Sequence, residues 1–199
     1  MELAHLQRLR SVMTKLSEMT EEDWKLLIPH ISYRKIAKGQ YWIEEGNKES
    51  RVGFILAGFM RHYYVHDGEE KTTYFYFEDH LVSSYFSALT QAASQLTIQA
   101  LTDCYLLEFP YTTLLALFDK AKSWERFGRR LAEYIALGLE ERMVNLLILS
   151  PEERYLKLFH TSHNKILEKI PQHLVANYLG ITPVSLSRIR QRVISKKII

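Results

Sequence analysis

The sequence predicts an α+β protein in which short helices lead into a strand-rich middle, followed by one long helix and then a pair of helices joined by a tight turn. Three observations point there. Residues 33–109 are rich in aromatic and β-branched side chains and are interrupted at short intervals by Gly39, Gly46, Gly53, Gly58 and Gly68, the punctuation of short strands. Residues 123–149 contain no proline and only two glycines, Gly128 and Gly138, as a long helix with few breakers requires. Residues 172–191, QHLVANYLGITPVSLSRIRQ, put small, apolar and glycine residues where two packed helices need them.

In chain order, Leu3, Leu6, Leu9, Val12, Met13 and Leu16 recur at helical spacing, and Thr20 with Asp23 marks a second helix start. In the strand-rich middle, Arg61 to His66 and Lys71 to Phe77 flank Asp67-Gly68, a pair that tolerates the positive φ of a hairpin turn. The segment 123–149 spans roughly 40 Å as a helix. Along it Trp124, Phe127, Leu131, Tyr134, Ile135, Leu139, Met143, Leu146 and Leu147 form an apolar stripe longer than a small β domain can cover. The same helix of a second copy is the expected cover, and a plain core helix is the alternative. Ser150-Pro151-Glu152-Glu153 then reads as a capping box with proline in the first turn. The chain therefore divides into a β-rich unit at 1–120, a dimerisation helix at 121–149 and a helical unit at 150–199.

The terminal unit is the most informative. Ala176 is the small residue for a close crossing, Gly180 suits the left-handed end of the first helix, and Val175, Leu179, Ile181, Leu186 and Ile189 supply a shared core. Thr182 caps the second helix and Pro183 opens it. On a helical wheel Leu186, Ile189 and Val193 fall on one side. Val184, Ser187, Arg188 and Gln191 fall opposite, with Ser185 and Arg192 at the margins. That face has no acid and carries the donors and acceptors that read base edges, Arg188 being suited to a bidentate contact with guanine. Gln172, His173, Thr182 and Ser185 lie near helix starts, where phosphates are held, and Arg192 and Lys196 are expected to meet phosphates without regard to sequence.

Charge agrees with a polyanionic partner. From residue 164 onward seven basic side chains stand against Glu168 alone, a net +6 that leaves −3 for the rest of a chain whose total is +3. Cys104 is the only cysteine, which rules out an intramolecular disulfide and a cysteine-rich cluster. No run of about 18 apolar residues occurs, and charges are scattered through the first 30 residues, so a cytoplasmic protein without a membrane partner is expected.

The whole chain resembles the cyclic-AMP receptor protein and fumarate–nitrate reductase regulator (Crp/Fnr) family of transcription factors. Lys38-Gly39, Gly46 and Gly58 are similar to the glycine ladder of that family's cyclic-nucleotide-binding β-roll. The long helix precedes a helix-turn-helix as in the family's dimers, and LGITPVSLSRIR resembles its recognition region, Arg188 falling where the family places its principal base-reading arginine. The resemblance implies a β-roll sensor, a homodimer, double-stranded DNA and RNA polymerase as partners, a small-molecule effector and no enzymatic activity.

It also has departures. Where the family has a Gly-Glu pair and an arginine for the cyclic phosphate, HLVSSYFSALTQAASQLTIQAL carries Ser83-Ser84 and then Ser94-Gln95. A phosphate without its counter-charge loses several kcal/mol in a desolvated pocket, so cyclic AMP is not expected to bind in the usual manner and the effector stays open. Ser83, Ser84, Ser94 and Gln95, with Ser87, offer neutral polar groups, and Tyr63, Tyr64, Tyr74 and Tyr76 offer aromatic walls, for a small polar or planar effector. The sequence runs only six or seven residues past the expected end of the recognition helix, so no full wing is expected. The competing reading is a small-molecule-binding or protein-interaction module whose helix-turn-helix has lost DNA.

Weaker signals favour structural roles. His62 and His66 would lie about 13 Å apart on a strand, too far for one metal, and read as surface or cross-strand histidines. His160 and His163 make no convincing metal pair, and no metal site is expected. Glu44-Glu45 and Glu69-Glu70 sit at turns, and no GxSxG, HExxH or phosphate-cradling glycine loop is present, so no catalytic residues are expected.

Overall fold

A computed structural model describes residues 2–48, 50–160 and 164–197, the side chains of 160, 196 and 197 excepted. His163 lies outside the described residues, as does the Lys196 side chain.

The chain starts with α1 (Leu3–Thr14) and α2 (Glu21–Leu27). At α2 the Thr20 hydroxyl accepts from the Asp23 N–H at 3.1 Å and the Asp23 carboxylate accepts from the Thr20 N–H at 3.0 Å, a complete capping box. A single 3-10 turn leads into the strands β1 (Ser32–Ile36), β2 (Tyr41–Ile43), β3 (Arg51–Ala57), β4 (Met60–His66), β5 (Glu69–Tyr76), β6 (Leu81–Val82), β7 (Thr97–Ala100) and β8 (Cys104–Pro110), with α3 (Tyr85–Thr90) between β6 and β7. They form two antiparallel four-stranded sheets, β1-β8-β3-β6 and β2-β7-β4-β5. Trp42, Ile43, Ile55, Met60, Ile98, Cys104 and Leu106 fill the space between them, because alternate residues of each strand face inward.

Turn chemistry places the strands. Asp67 and Gly68 both have positive φ, 52° and 76°, and join β4 to β5 as the sequence predicts. Gly58 is at φ 90°, and a Cβ there would lie 2.4 Å from the Asp103 carbonyl oxygen. Gly53 departs from the sequence expectation. Rather than punctuating strands it sits inside β3, where a Cβ would be only 2.9–3.0 Å from Val82, Leu106 and Trp42, so its role is close packing.

After α4 (Tyr111–Phe118) comes α5, Lys122–Ile148, 27 residues long. Its first turns are anchored: Trp124 and Phe127 are fully buried with Leu9, Met13, Leu27 and Phe109. Farther on the stripe emerges, with Tyr134, Leu139, Met143, Leu146 and Leu147 all exposed. The Ser150–Glu153 box then starts α6 (Pro151–His160), with the Ser150 N–H donating to the Glu153 carboxylate at 2.8 Å. α7 (Asn164–Lys169), α8 (Gln172–Leu179) and α9 (Pro183–Lys197) follow. These helices share a second core with Phe75 and Phe77. α9 continues to Lys197, which corrects the expectation of a six- or seven-residue tail beyond it; those residues prolong the helix. Among the described residues no helix is long and apolar enough to cross a membrane.

Candidate nucleic-acid interface and ligand cradle

α8 and α9 are locked by backbone chemistry that the sequence announces. Gly180, at φ 70°, ends α8, and the Ile181 N–H returns to the Ala176 carbonyl at 3.0 Å. Thr182 Oγ1 accepts from the Ser185 N–H at 3.2 Å, and the two hydroxyls lie 3.0 Å apart, so both are engaged in capping α9. Ala176, Leu186, Ile189 and Val193 are buried where the helices meet. On the far side of α9, Val184, Ser187, Arg188 and Gln191 are exposed, and Arg188, Gln191, Arg192 and Ser195 line one open hollow. Gln172 and His173 are exposed at the start of α8. Arg192 is already paired: its Nη2 lies 2.9 Å from Glu152 Oε2 on α6, which ties α9 to α6.

The serines of the β-roll form a closed set. Ser94 Oγ donates to the Leu96 carbonyl at 2.8 Å, which leaves it to accept from Ser84 Oγ at 2.8 Å; both side chains are buried. Ser83 Oγ donates to the Arg51 carbonyl at 2.9 Å and Ser87 Oγ to the Ala92 carbonyl at 2.6 Å. Gln95 is exposed, away from this group. Residues 81–101 contain no lysine or arginine. A cyclic-nucleotide phosphate therefore does not fit this cradle: its counter-charge is missing from the segment and the nearest hydroxyls are already engaged with one another or with backbone carbonyls.

Deeper along the second sheet lies an aromatic cluster. The His62 ring stacks at 6.3 Å on Tyr76 and at 5.4 Å meets Tyr64, and Tyr74 lies 4.8 Å from Tyr76. Of the surface and cross-strand readings of His62, the second holds: half-buried, it pairs across the ladder with Tyr74. Its Nε2 is buried with no hydrogen-bond partner among the described residues, and burial pushes the ring down from the usual 6.5 to about 4. Burial likewise pushes Tyr74 up to about 12 and Tyr76 above the ordinary phenol range. Tyr63 points the other way, with the Arg61 guanidinium 4.2 Å over its ring. The ladder shifts register between His62 and Tyr63, which strict two-residue alternation does not anticipate. Sequence reasoning also missed Asn177, which bonds the β5 backbone, and Arg142, which lies 3.8 Å over Tyr178. A half-buried amide and a helix arginine have no motif; only the packing of α8 on β5 and α5 distinguishes them.

Residues 33–121 match the family model described as the cyclic nucleotide-binding domain. No curated protein matches the chain. Among solved structures, FixK2 from Bradyrhizobium japonicum aligns at TM-score 0.71 and 15% identity, over 84% of this chain and 86% of that one. The c-di-GMP-responsive global regulator CLP from Xanthomonas campestris aligns at 0.61 and 15%, over 89% and 93%. The Thermus thermophilus catabolite activator protein aligns at 0.55 and 20%, over 90% and 85%. At these identities the likeness is one of fold, and it extends well beyond the β-roll.

Proposed function

We propose that this chain is a transcription regulator of the Crp/Fnr type: a cytoplasmic, non-enzymatic homodimer that reads double-stranded DNA with α9. The observation that carries this is the α9 surface. Arg188, Gln191, Ser187 and Val184 stand exposed on a helix whose other side is packed into a core, which is the arrangement by which a second helix enters a major groove. Arg188 reads guanine, its neighbours read adjacent base edges, and Gln172, His173, Thr182 and Ser185 hold phosphates through side chains or helix-start N–H groups. Arg192, shared with Glu152, acts mainly by orienting α9.

The 1–120, 121–149 and 150–199 divisions then serve as sensor, dimerisation helix and reader. The exposed stripe Leu139, Met143, Leu146 and Leu147 is the surface on which two α5 helices meet. The similar folds include proteins described as a global regulator and a catabolite activator, which supports a regulatory role; RNA polymerase is a further partner on this reading. Any small-molecule effector is other than cyclic AMP, and regulation without one is equally compatible with these residues.

Selection of bound sequences from random duplexes tests the reading. A roughly palindromic site, with half-sites about 34 Å apart, is the expected product. Arg188→Ala should cost about 1–3 kcal/mol and relax preference at one base pair per half-site. Recovery of no enriched sequence, or an Arg188→Ala variant with wild-type preference, refutes it.

A further inference from the structure

β5 is the edge of its sheet, so one row of its backbone N–H and C=O groups has no strand partner. Asn177 on α8 meets that row. Its Oδ1 accepts from the Thr72 N–H at 2.6 Å and its Nδ2 donates to the Glu70 carbonyl at 2.8 Å. The side-chain amide pairs with the edge much as the peptide group of an added strand does. Around it, the Tyr178 ring lies 5.4 Å from Phe75, and Arg142 of α5 lies over the Tyr178 ring and bonds its carbonyl. α8 is thus gripped between β5 and α5, while Val184, Arg188 and Gln191 of α9 stay clear.

β5 has a second face. Phe75, and Phe77 just after the strand, belong to the helical core. Tyr74 and Tyr76 belong to the interior cluster with His62. Alternation along one strand therefore joins the inside of the roll to the helices that carry α9.

We infer that Asn177 is a positioning residue: it straps α8 to β5, so that the orientation of α9 follows the state of the roll interior. This rests on α9 being the DNA reader. A free reader samples many orientations and binds only from the fitting fraction, whereas a strapped one is held in place.

Amide exchange on the full-length protein without DNA tests the strap. Asn177→Ala should speed exchange of the Thr72 amide about tenfold or more, through loss of two hydrogen bonds, with Leu186 and Ile189 amides unchanged. If the alanine variant also loses protection at Leu186 and Ile189, Asn177→Asp, which keeps an acceptor toward Thr72 but sets an oxygen against the Glu70 carbonyl, gives the same readout. Tyr76→Phe, which alters only the interior, should shift Thr72 exchange by about threefold or more. Against a selected operator, Asn177→Ala should lower affinity about fivefold or more with an unchanged salt slope, since no phosphate contact is removed. Unchanged Thr72 exchange in the Asn177 variants, indifference to Tyr76→Phe, or unchanged or tighter operator binding overturns the inference. If the wild type selects no operator, DNA reading fails while the exchange measurements still decide the strap.

Discussion

Acidification should destabilise this protein through His62. The ring nitrogen is buried without a partner among Tyr64, Tyr74 and Tyr76, and burial holds the group at about 4 against an ordinary 6.5. The folded state keeps the neutral ring, so the unfolded chain takes up the proton first as pH falls. A depressed histidine therefore contributes its stability above about pH 6.5 and loses it progressively toward pH 4, by about 3 kcal/mol in all. Between pH 7 and pH 5 the loss is about 2 kcal/mol. His62→Phe keeps an aromatic ring of similar size in the stack and has no proton to gain. Urea unfolding of both proteins at pH 7, 6 and 5 reads the effect, with a wild-type midpoint falling by roughly 1 M more than that of the variant across the range. Every group other than residue 62 is common to the two proteins and cancels in the comparison. Equal pH slopes for the two proteins, within about 0.5 kcal/mol, would show that the folded roll lets His62 protonate freely.

Three further outcomes follow from the geometry. Leu139→Glu places a charge on a residue that is 66% exposed in the single chain, so folding should be unaffected while the proposed α5-mediated dimer weakens by at least about 3 kcal/mol; sedimentation equilibrium that finds the same dimer constant contradicts the proposed interface. Gly58→Ala sets a Cβ 2.4 Å from the Asp103 carbonyl at a φ of 90° and should cost about 2 kcal/mol or more, seen as a lowered unfolding temperature; a neutral result means the β3–β4 turn yields. Titration calorimetry with cyclic AMP should give no heat of binding at micromolar concentrations, and a micromolar isotherm means a cation outside residues 81–101 reaches the phosphate.

Much of the fold is legible in the sequence because it is specified locally. The Thr20 and Ser150 boxes, the Asp67-Gly68 turn, Gly180 at the end of α8 and the proline-free run of α5 each declare themselves within a few residues. The exposed face of α9 is equally legible, since helical periodicity alone separates Arg188 and Gln191 from Leu186 and Ile189. Where backbone conformation or a single helix wheel is the cause, neighbours in sequence carry the information.

Other features depend on residues far apart in sequence. Gly53 is a packing residue because Val82, Leu106 and Trp42 converge on it. The His62 ring nitrogen is buried where the rings of Tyr64 and Tyr76 pack against it. Arg192 is drawn to Glu152, 40 positions away, and Asn177 to the edge of β5, more than 100 positions away. Composition and periodicity alone determined that this chain makes a strand-rich unit, a long helix and a bihelical end with basic residues outward. Only the tertiary structure decided which polar groups are satisfied and which titrate abnormally, because desolvation and hydrogen bonding belong to the space around a side chain and not to its place along the backbone.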